Sequence, residues 1–162
     1  MSDALKSLEY GRWKISSDTT ATRTAYAKLT AGSPEECGCE PCHNFATQRN
    51  RTYSTATLAL FESLGIASNR EAETYHMARL ESGKHLYGGW FHSEGSIISG
   101  ADAAKQVSEN VWRPDLESEC ETFSMGFTSR VHLVREPFMG LQLVQLEFTA
   151  RIPWILGAKE PK

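Results

Sequence analysis

Three cysteines lie within six positions of the run EECGCEPCHNF, which covers residues 35–45. Cys37, Cys39 and Cys42 offer three thiols, and the two-residue gap between Cys39 and Cys42 is typical of a zinc knuckle. A tetrahedral zinc site takes four ligands, mostly thiolate sulfur or imidazole nitrogen. The spacing therefore predicts a zinc site in this loop with three local ligands.

The fourth ligand has to come from another part of the chain. Cys120 is the only other thiol, and we include it in the predicted metal site. His43, His92 and His132 are alternatives, although His43 directly follows Cys42, so at the start of a helix its ring points away from that neighbour. Four protein ligands leave no position for a reactive water, so we expect a structural role for the zinc.

A second hypothesis takes Cys39 and Cys42 as a thiol–disulfide redox pair. The C-E-P-C run at a predicted helix start resembles the C-x-P-C of thioredoxin-like proteins, and a helix N-terminus stabilises a thiolate. The resemblance covers four residues, and TAGSPEE precedes them instead of the hydrophobic strand that a thioredoxin-like fold requires. A third hypothesis is a metal-free interaction module, such as an inhibitor or immunity-type partner, whose cysteines are small hydrophobic side chains.

The elements that must position these residues follow from the hydrophobic periodicity. Apolar residues step by three or four from Phe45 to Leu64, which predicts one main helix over about 42–64, or two helices if Thr52 or Ser54 is a cap. Alternation predicts strands over 8–16, 23–30, 121–134 and 141–152, and a hairpin that turns at Ser82-Gly83. A short helix or ordered loop is expected over 102–111. The pattern predicts an α+β fold in which an antiparallel sheet of about five or six strands packs against the main helix.

Catalytic motifs are absent from the sequence. There is no G-x-S-x-G or H-E-x-x-H motif, and GGWFHSEG lacks the lysine and helix of a phosphate loop. The predicted hairpin places Glu73 opposite His92, a pair that could act in base catalysis, but an exposed strand pair is the simpler interpretation. We therefore expect a non-enzymatic domain.

Length and composition restrict the remaining possibilities. The chain has 162 residues, 40% hydrophobic residues and a net charge of −3, which predicts one domain over 1–162 with frayed ends at 1–7 and 157–162. The charge gives no general attraction to nucleic acid, and no apolar run is long enough for a membrane span. Without a signal sequence we expect a cytoplasmic protein with reduced thiols and an unidentified protein partner.

Four runs, CGCEPCHNF, SLGI, YGGWFH and LEFTARIPWIL, extend over most of the chain. Together they resemble a group of uncharacterised bacterial proteins to which no activity is attached. The resemblance implies a single cytosolic bacterial domain and adds nothing about mechanism.

Overall fold

The computed structural model describes residues 5–162, which form five helices and nine strands. The helices are α1 Thr19–Ala27, α2 Ser33–Cys37, α3 Glu40–Ala46, α4 Arg49–Thr52 and α5 Thr55–Leu64. The strands are β1 Lys6–Tyr10, β2 Trp13–Ser17, β3 Glu73–Arg79, β4 His85–Ser99, β5 Ala104–Ser108, β6 Val111–Pro114, β7 Glu117–Cys120, β8 Phe123–Thr128 and β9 Leu143–Ile152. The predicted α+β class is confirmed.

Antiparallel pairing joins the strands into two sheets. The large sheet has seven strands among the described residues, in the order β1-β2-β4-β9-β8-β7, with β3 also paired to β4. Strands β5 and β6 form a separate hairpin. The sequence predicted five or six strands, so it underestimated the sheet while giving its antiparallel character correctly.

The 15-residue strand β4 organises the large sheet. One of its edges pairs with β9 without interruption, from His85 opposite Ile152 to Glu94 opposite Leu143. Its other edge is shared, because β3 pairs with its first part and β2 pairs with its last part.

An aromatic cluster fills the space between the sheet and the helices. Tyr53 lies at its centre and makes edge-on contacts with Phe61, Phe91, Phe123 and Phe148, with ring centroids 5.2–6.0 Å apart. These five side chains are at most 2% exposed. Such edge-to-face pairs stabilise a core beyond the area that they bury.

The single helix expected over 42–64 is replaced by three shorter helices, α3, α4 and α5. Gln48 leaves helical geometry with φ −111° and ψ 5°, and Tyr53 is extended with ψ 118°. Ser54 then begins α5, where its Oγ accepts a hydrogen bond from the Thr57 N–H, as the capping alternative predicted. The two interruptions turn Tyr53 into the core.

Three other expectations were wrong. Residues 23–30 belong mostly to α1, because Thr19, Thr22, Ala25 and Tyr26 are buried at helical spacing. Residues 102–111 contain β5 and the turn into β6 instead of a helix, and the strand expected to reach 134 ends at Thr128.

The β3–β4 hairpin has a different register from the expected one. Glu73 lies opposite Trp90, not His92, for two reasons. Arg79 pairs with His85 at the turn, which shifts the expected register by one residue, and an irregularity between His76 and Ala78 shifts it by one more. The hypothetical Glu73–His92 pair is therefore not formed.

A buried carboxylate, Glu71, joins the short helices to the sheet. Its side chain is fully buried and accepts hydrogen bonds from Arg49 Nε at 2.8 Å, Arg49 Nη2 at 2.7 Å and Tyr53 Oη at 3.1 Å. Its main-chain oxygen accepts from the Ser33 N–H at 2.9 Å. Arg49 also binds Glu35 with two nitrogens, so α2, α4 and the segment before β3 meet at one point.

We expect Glu71→Gln to lower the free energy of unfolding by about 3 kcal/mol. The substitution removes one charge from a buried ion pair, and Arg49 then keeps only the carboxylate of Glu35 as a charged partner. Urea unfolding followed by circular dichroism measures this change. The matched control is Glu36→Gln, which breaks an exposed pair with Arg135 and should cost less than about 1 kcal/mol. Equal losses in the two variants would contradict a central role for Glu71.

Candidate metal centre

The three neighbouring cysteines lie at the junction of α2 and α3. Cys37 ends α2, and Gly38 follows in the left-handed region at φ 69°, where its N–H closes the helix by donating to the Pro34 oxygen. Cys39 is the N-cap residue of α3, and Cys42 lies in the first turn of that helix. This tight reversal folds three thiols that are close in sequence onto one another.

The three Sγ atoms all lie within 4.8 Å of one another. Zn–S bonds of about 2.3 Å in a tetrahedral site place two sulfurs about 3.8 Å apart, so the sulfurs need to approach by about 1 Å at most to bind one ion. A disulfide requires a much closer approach, to about 2.05 Å. All four cysteines of the chain are free thiols in the structure.

The thiols differ in exposure and in acidity. Cys37 and Cys39 are exposed, whereas Cys42 is buried. A hydrogen bond with the main chain of Cys39, followed by contacts with the Cys39 and Cys42 thiols, lowers the pKa of Cys37. Burial, followed by the neighbouring thiols, raises the pKa of Cys42. Without metal, the cluster therefore has an acidic thiol at the surface, Cys37, and a protonated thiol below it, Cys42. A bound cation would favour the thiolate form of both.

Cys120 does not join this group. It ends β7, where it pairs with Phe123 and its Sγ lies 3.5 Å from Thr122 Oγ1. Helices α2 and α3 contact β3, and the order β3-β4-β9-β8-β7 puts four strand spacings, about 19 Å, between the two places. The strand order, which no local pattern reveals, separates Cys120 from the other three cysteines.

The three candidate histidines also lie outside the group. His43 is exposed on α3, and His132 is exposed with its ring against Trp90. His92 is buried in β4, where its Nε2 lies 3.2 Å from Gln145 Oε1. Within residues 5–162, the cysteine triplet is the one group of three or more candidate ligand residues that the structure brings together.

Hydrogen bonds fix α2 to β3. Ser33 Oγ donates to Glu73 Oε1 at 3.0 Å and accepts from the Thr74 N–H at 3.2 Å. Together with the Glu71–Arg49–Glu35 network, these bonds hold the first half of a helix that buries only Pro34.

A second set of bonds fixes α3. Tyr87 Oη donates to the Pro41 oxygen at 2.9 Å, between the second and third cysteines of the motif. The buried amide of Asn44 donates to the Pro153 oxygen and accepts from the Ile155 N–H. The start of α2 and the whole of α3 are therefore held independently of any bound ion, while the end of α2 with Cys37 is not. A metal would have only this end left to order.

Sequence reasoning missed the residues that hold these arms. Arg49, Glu71 and Asn44 match no motif with a known structural role. Nothing local signals them, because the bonds that hold α2 and α3 join residues 14 to 111 positions apart.

A histidine pair outside the cysteine cluster was also missed. Buried His85 contacts His76 Nε2 through Nδ1 at 2.8 Å and Glu160 Oε1 through Nε2 at 2.7 Å. Hydrogen bonds with His85 and the charge of Arg79 lower the pKa of Glu160. These contacts tie the segment after β9 to β3 and β4.

Comparisons with protein-family models, curated proteins and solved structures found no match to this chain. No helix among residues 5–162 has the length and apolar character required to cross a membrane.

We expect iodoacetamide to alkylate Cys37 and Cys39 faster than Cys42, because Cys42 is buried and its pKa is raised. Timed alkylation of metal-free protein, followed by peptide mass spectrometry, gives the three rates. Exposed Cys120 provides an internal reference in every sample. Alkylation of Cys42 as fast as that of Cys37 would show that the cluster is more open than described.

His92 should make the stability of the protein pH-dependent. Burial, opposed by its bond with Gln145, lowers the pKa of His92, so the unfolded chain takes up this proton at a higher pH than the folded one. Stability is thus complete above about pH 6.5 and falls as the pH drops toward the lowered pKa, by up to about 1 kcal/mol per pH unit.

Urea unfolding of the wild type and of His92→Gln between pH 7.5 and 5.5 tests this effect. The variant keeps a polar side chain facing Gln145 but should lose part of the pH slope. His43→Gln, at an exposed site, is the matched control and should keep the wild-type slope. The assignment to His92 is wrong if His92→Gln leaves the slope unchanged.

Proposed function

We propose that the protein is a small non-enzymatic domain in which Cys37, Cys39 and Cys42 bind one zinc ion that braces the junction of α2 and α3. The observation that carries this proposal is the approach of the three Sγ atoms to within 4.8 Å. Thiolates are preferred ligands of zinc, and the required S–S separations are within about 1 Å of those present.

A bracing role suits this part of the chain. Helix α2 has five residues and buries one of them, so packing contributes little to it. A metal that joins the last residue of α2 to the start of α3 would replace the missing core contacts. Glu40 in the first turn of α3 adds negative potential that favours a cation, whereas Glu35 and Glu36 are already paired with arginines.

The fourth coordination position would face solvent on the side of Cys37 and Cys39. We propose that a donor atom of a protein partner completes the tetrahedron there, since Cys120 lies across the sheet. A fourth protein ligand from the partner would close the site, as a structural zinc requires. This position makes the metal accessible to a partner from outside the domain. We place the protein in the cytoplasm as one domain over 1–162, where the thiols stay reduced.

A second candidate function is a thiol–disulfide site. It is favoured by one observation, the exposed Cys37 thiol with its lowered pKa beside Cys39 and Cys42. The Cys39–Cys42 pair that the sequence suggested is less suitable for this role, because Cys42 is buried with a raised pKa.

Metal analysis of protein purified under reducing conditions, without chelator or nickel resin, tests the proposal. We expect about one equivalent of zinc by inductively coupled plasma mass spectrometry, because the cluster has ligands for a single ion. Cys37→Ser, Cys39→Ser and Cys42→Ser should each lose most of the metal. Cys120→Ser is the matched control and should retain it.

Chelation should loosen the α2–α3 junction, which hydrogen exchange of residues 33–46 can detect, while the amides of β4 and β9 keep their protection. Metal below roughly a tenth of an equivalent, with all four thiols titrating as free, would refute the zinc site. Loss of two hydrogens from the metal-free protein, mapped to a disulfide within 37–42, would support the redox candidate instead.

A further inference from the structure

A second feature of the molecule is a cleft of about 800 Å³ on the side of the helices. It lies between α1, the end of α5 and the segment that leads from Gly65 to Arg70. None of the three clustered cysteines lines it, so any ligand there would be independent of the metal centre.

Three arginines line this cleft: Arg23, Arg49 and Arg70. The charge of Arg49 is already balanced by Glu35 and Glu71. Within residues 5–162, neither Arg23 nor Arg70 has a carboxylate within the 4.0 Å of an ion pair, and Glu62 is the other charged side chain of the lining besides these arginines. Two unpaired guanidinium groups in one cleft of a protein with net charge −3 favour an anionic ligand.

The position of Arg70 is fixed by main-chain acceptors. Its Nε donates to the Leu29 oxygen at 3.4 Å and its Nη1 donates to the Asn69 oxygen at 3.0 Å. A guanidinium carries five N–H donors, so these two bonds orient the group and leave donors for a ligand. Arg23 projects from α1 and is exposed, and the side chains of Asn50 and Asn69 add polar groups to the lining.

The walls of the cleft are partly apolar. Leu58 on α5 is 37% exposed, and the partly buried Leu29 belongs to the same lining. Below them Phe61 and Ile66 belong to the core. Apolar walls with a few polar groups of one charge are the usual composition of a small-molecule site.

We propose that this cleft binds an organic phosphate, with the phosphate on Arg23 and Arg70 and an apolar group against Leu29 and Leu58. Two guanidinium forks from different segments offer more donors than the two oxygens of a carboxylate accept. The terminal oxygens of a phosphate monoester can accept from both forks. The volume of about 800 Å³ lies within the range of ligand sites for molecules larger than a free ion.

Titration of the protein as purified, followed by ¹⁵N–¹H NMR, tests this site with phenyl phosphate, inorganic phosphate and benzoate. Phenyl phosphate should give saturable shifts at residues 65–70 and in the second half of α1, from Arg23 to Ala27. Inorganic phosphate should bind the same residues at least about ten-fold more weakly because it lacks the apolar group. Benzoate should bind more weakly than phenyl phosphate because a carboxylate serves one guanidinium fork.

Arg23→Gln and Arg70→Gln should each weaken binding of phenyl phosphate about ten-fold or more, the usual effect of losing a charged hydrogen-bond donor. Arg113→Gln, on the remote β6 strand, is the matched control and should leave binding unchanged. Arg23 is exposed, so its variant remains informative even if Arg70→Gln does not fold.

Absence of saturable shifts up to about 10 mM phenyl phosphate, or equal affinity in all three variants, would overturn the site. Benzoate binding as tightly as phenyl phosphate would overturn the choice of phosphate, and inorganic phosphate binding equally well would overturn the apolar part. Repeating the titration with Cys37→Ser shows whether the cleft binds phenyl phosphate when the metal centre is disrupted. Binding that persists there supports the independence of the two sites.

Discussion

The burial of Glu71 is the constraint on which the arrangement of the helices depends. A carboxylate with no exposed surface is tolerated only when it is paired and hydrogen-bonded, and Glu71 receives two bonds from Arg49 and one from Tyr53. Tyr53 is also the centre of the aromatic core. The polar network and the apolar core therefore share a residue, so neither can shift without the other.

Gly32 shows how closely this network is packed. A Cβ atom at this position would lie 2.8 Å from both Glu71 Oε2 and the Asn69 oxygen. Glycine thus lets the chain pass over the ion pair immediately before α2 begins. The need to cover the buried Glu71 carboxylate thus sets where α2 begins. The thiol cluster at the end of α2 is positioned by the same contact.

The sequence allowed prediction of features that depend on neighbours along the chain. The proximity of Cys37, Cys39 and Cys42 follows from their spacing, and the cap at Ser54 follows from residue type. The strand alternation from Phe123 to Thr128 was also recognisable.

Features set by distant contacts could not be predicted. The alternating alanines of α1 resemble a strand until Ala25 and Tyr26 are seen to be buried together against other elements. Breaks at Gln48 and Tyr53 are imposed by the core, because Tyr53 must leave the helix to reach its aromatic partners. The position of Cys120 depends on the order of the strands, which local periodicity does not contain.

The length of β4 has a consequence for how the chain reaches its native state. One edge of β4 pairs with both β2 and β3. The pairing with β2 joins distant parts of the chain, since Ser17 lies opposite Gly95. The other edge of β4 pairs with β9. The two strands are far apart in sequence, since Glu94 lies opposite Leu143, almost fifty residues later. Much of the sheet is thus made of contacts between residues that are remote in sequence. Such topologies fold slowly, because the entropy of closing a large loop is lost before the strand pairing stabilises it. During synthesis, one edge of β4 therefore stays unpaired until β9 has been made.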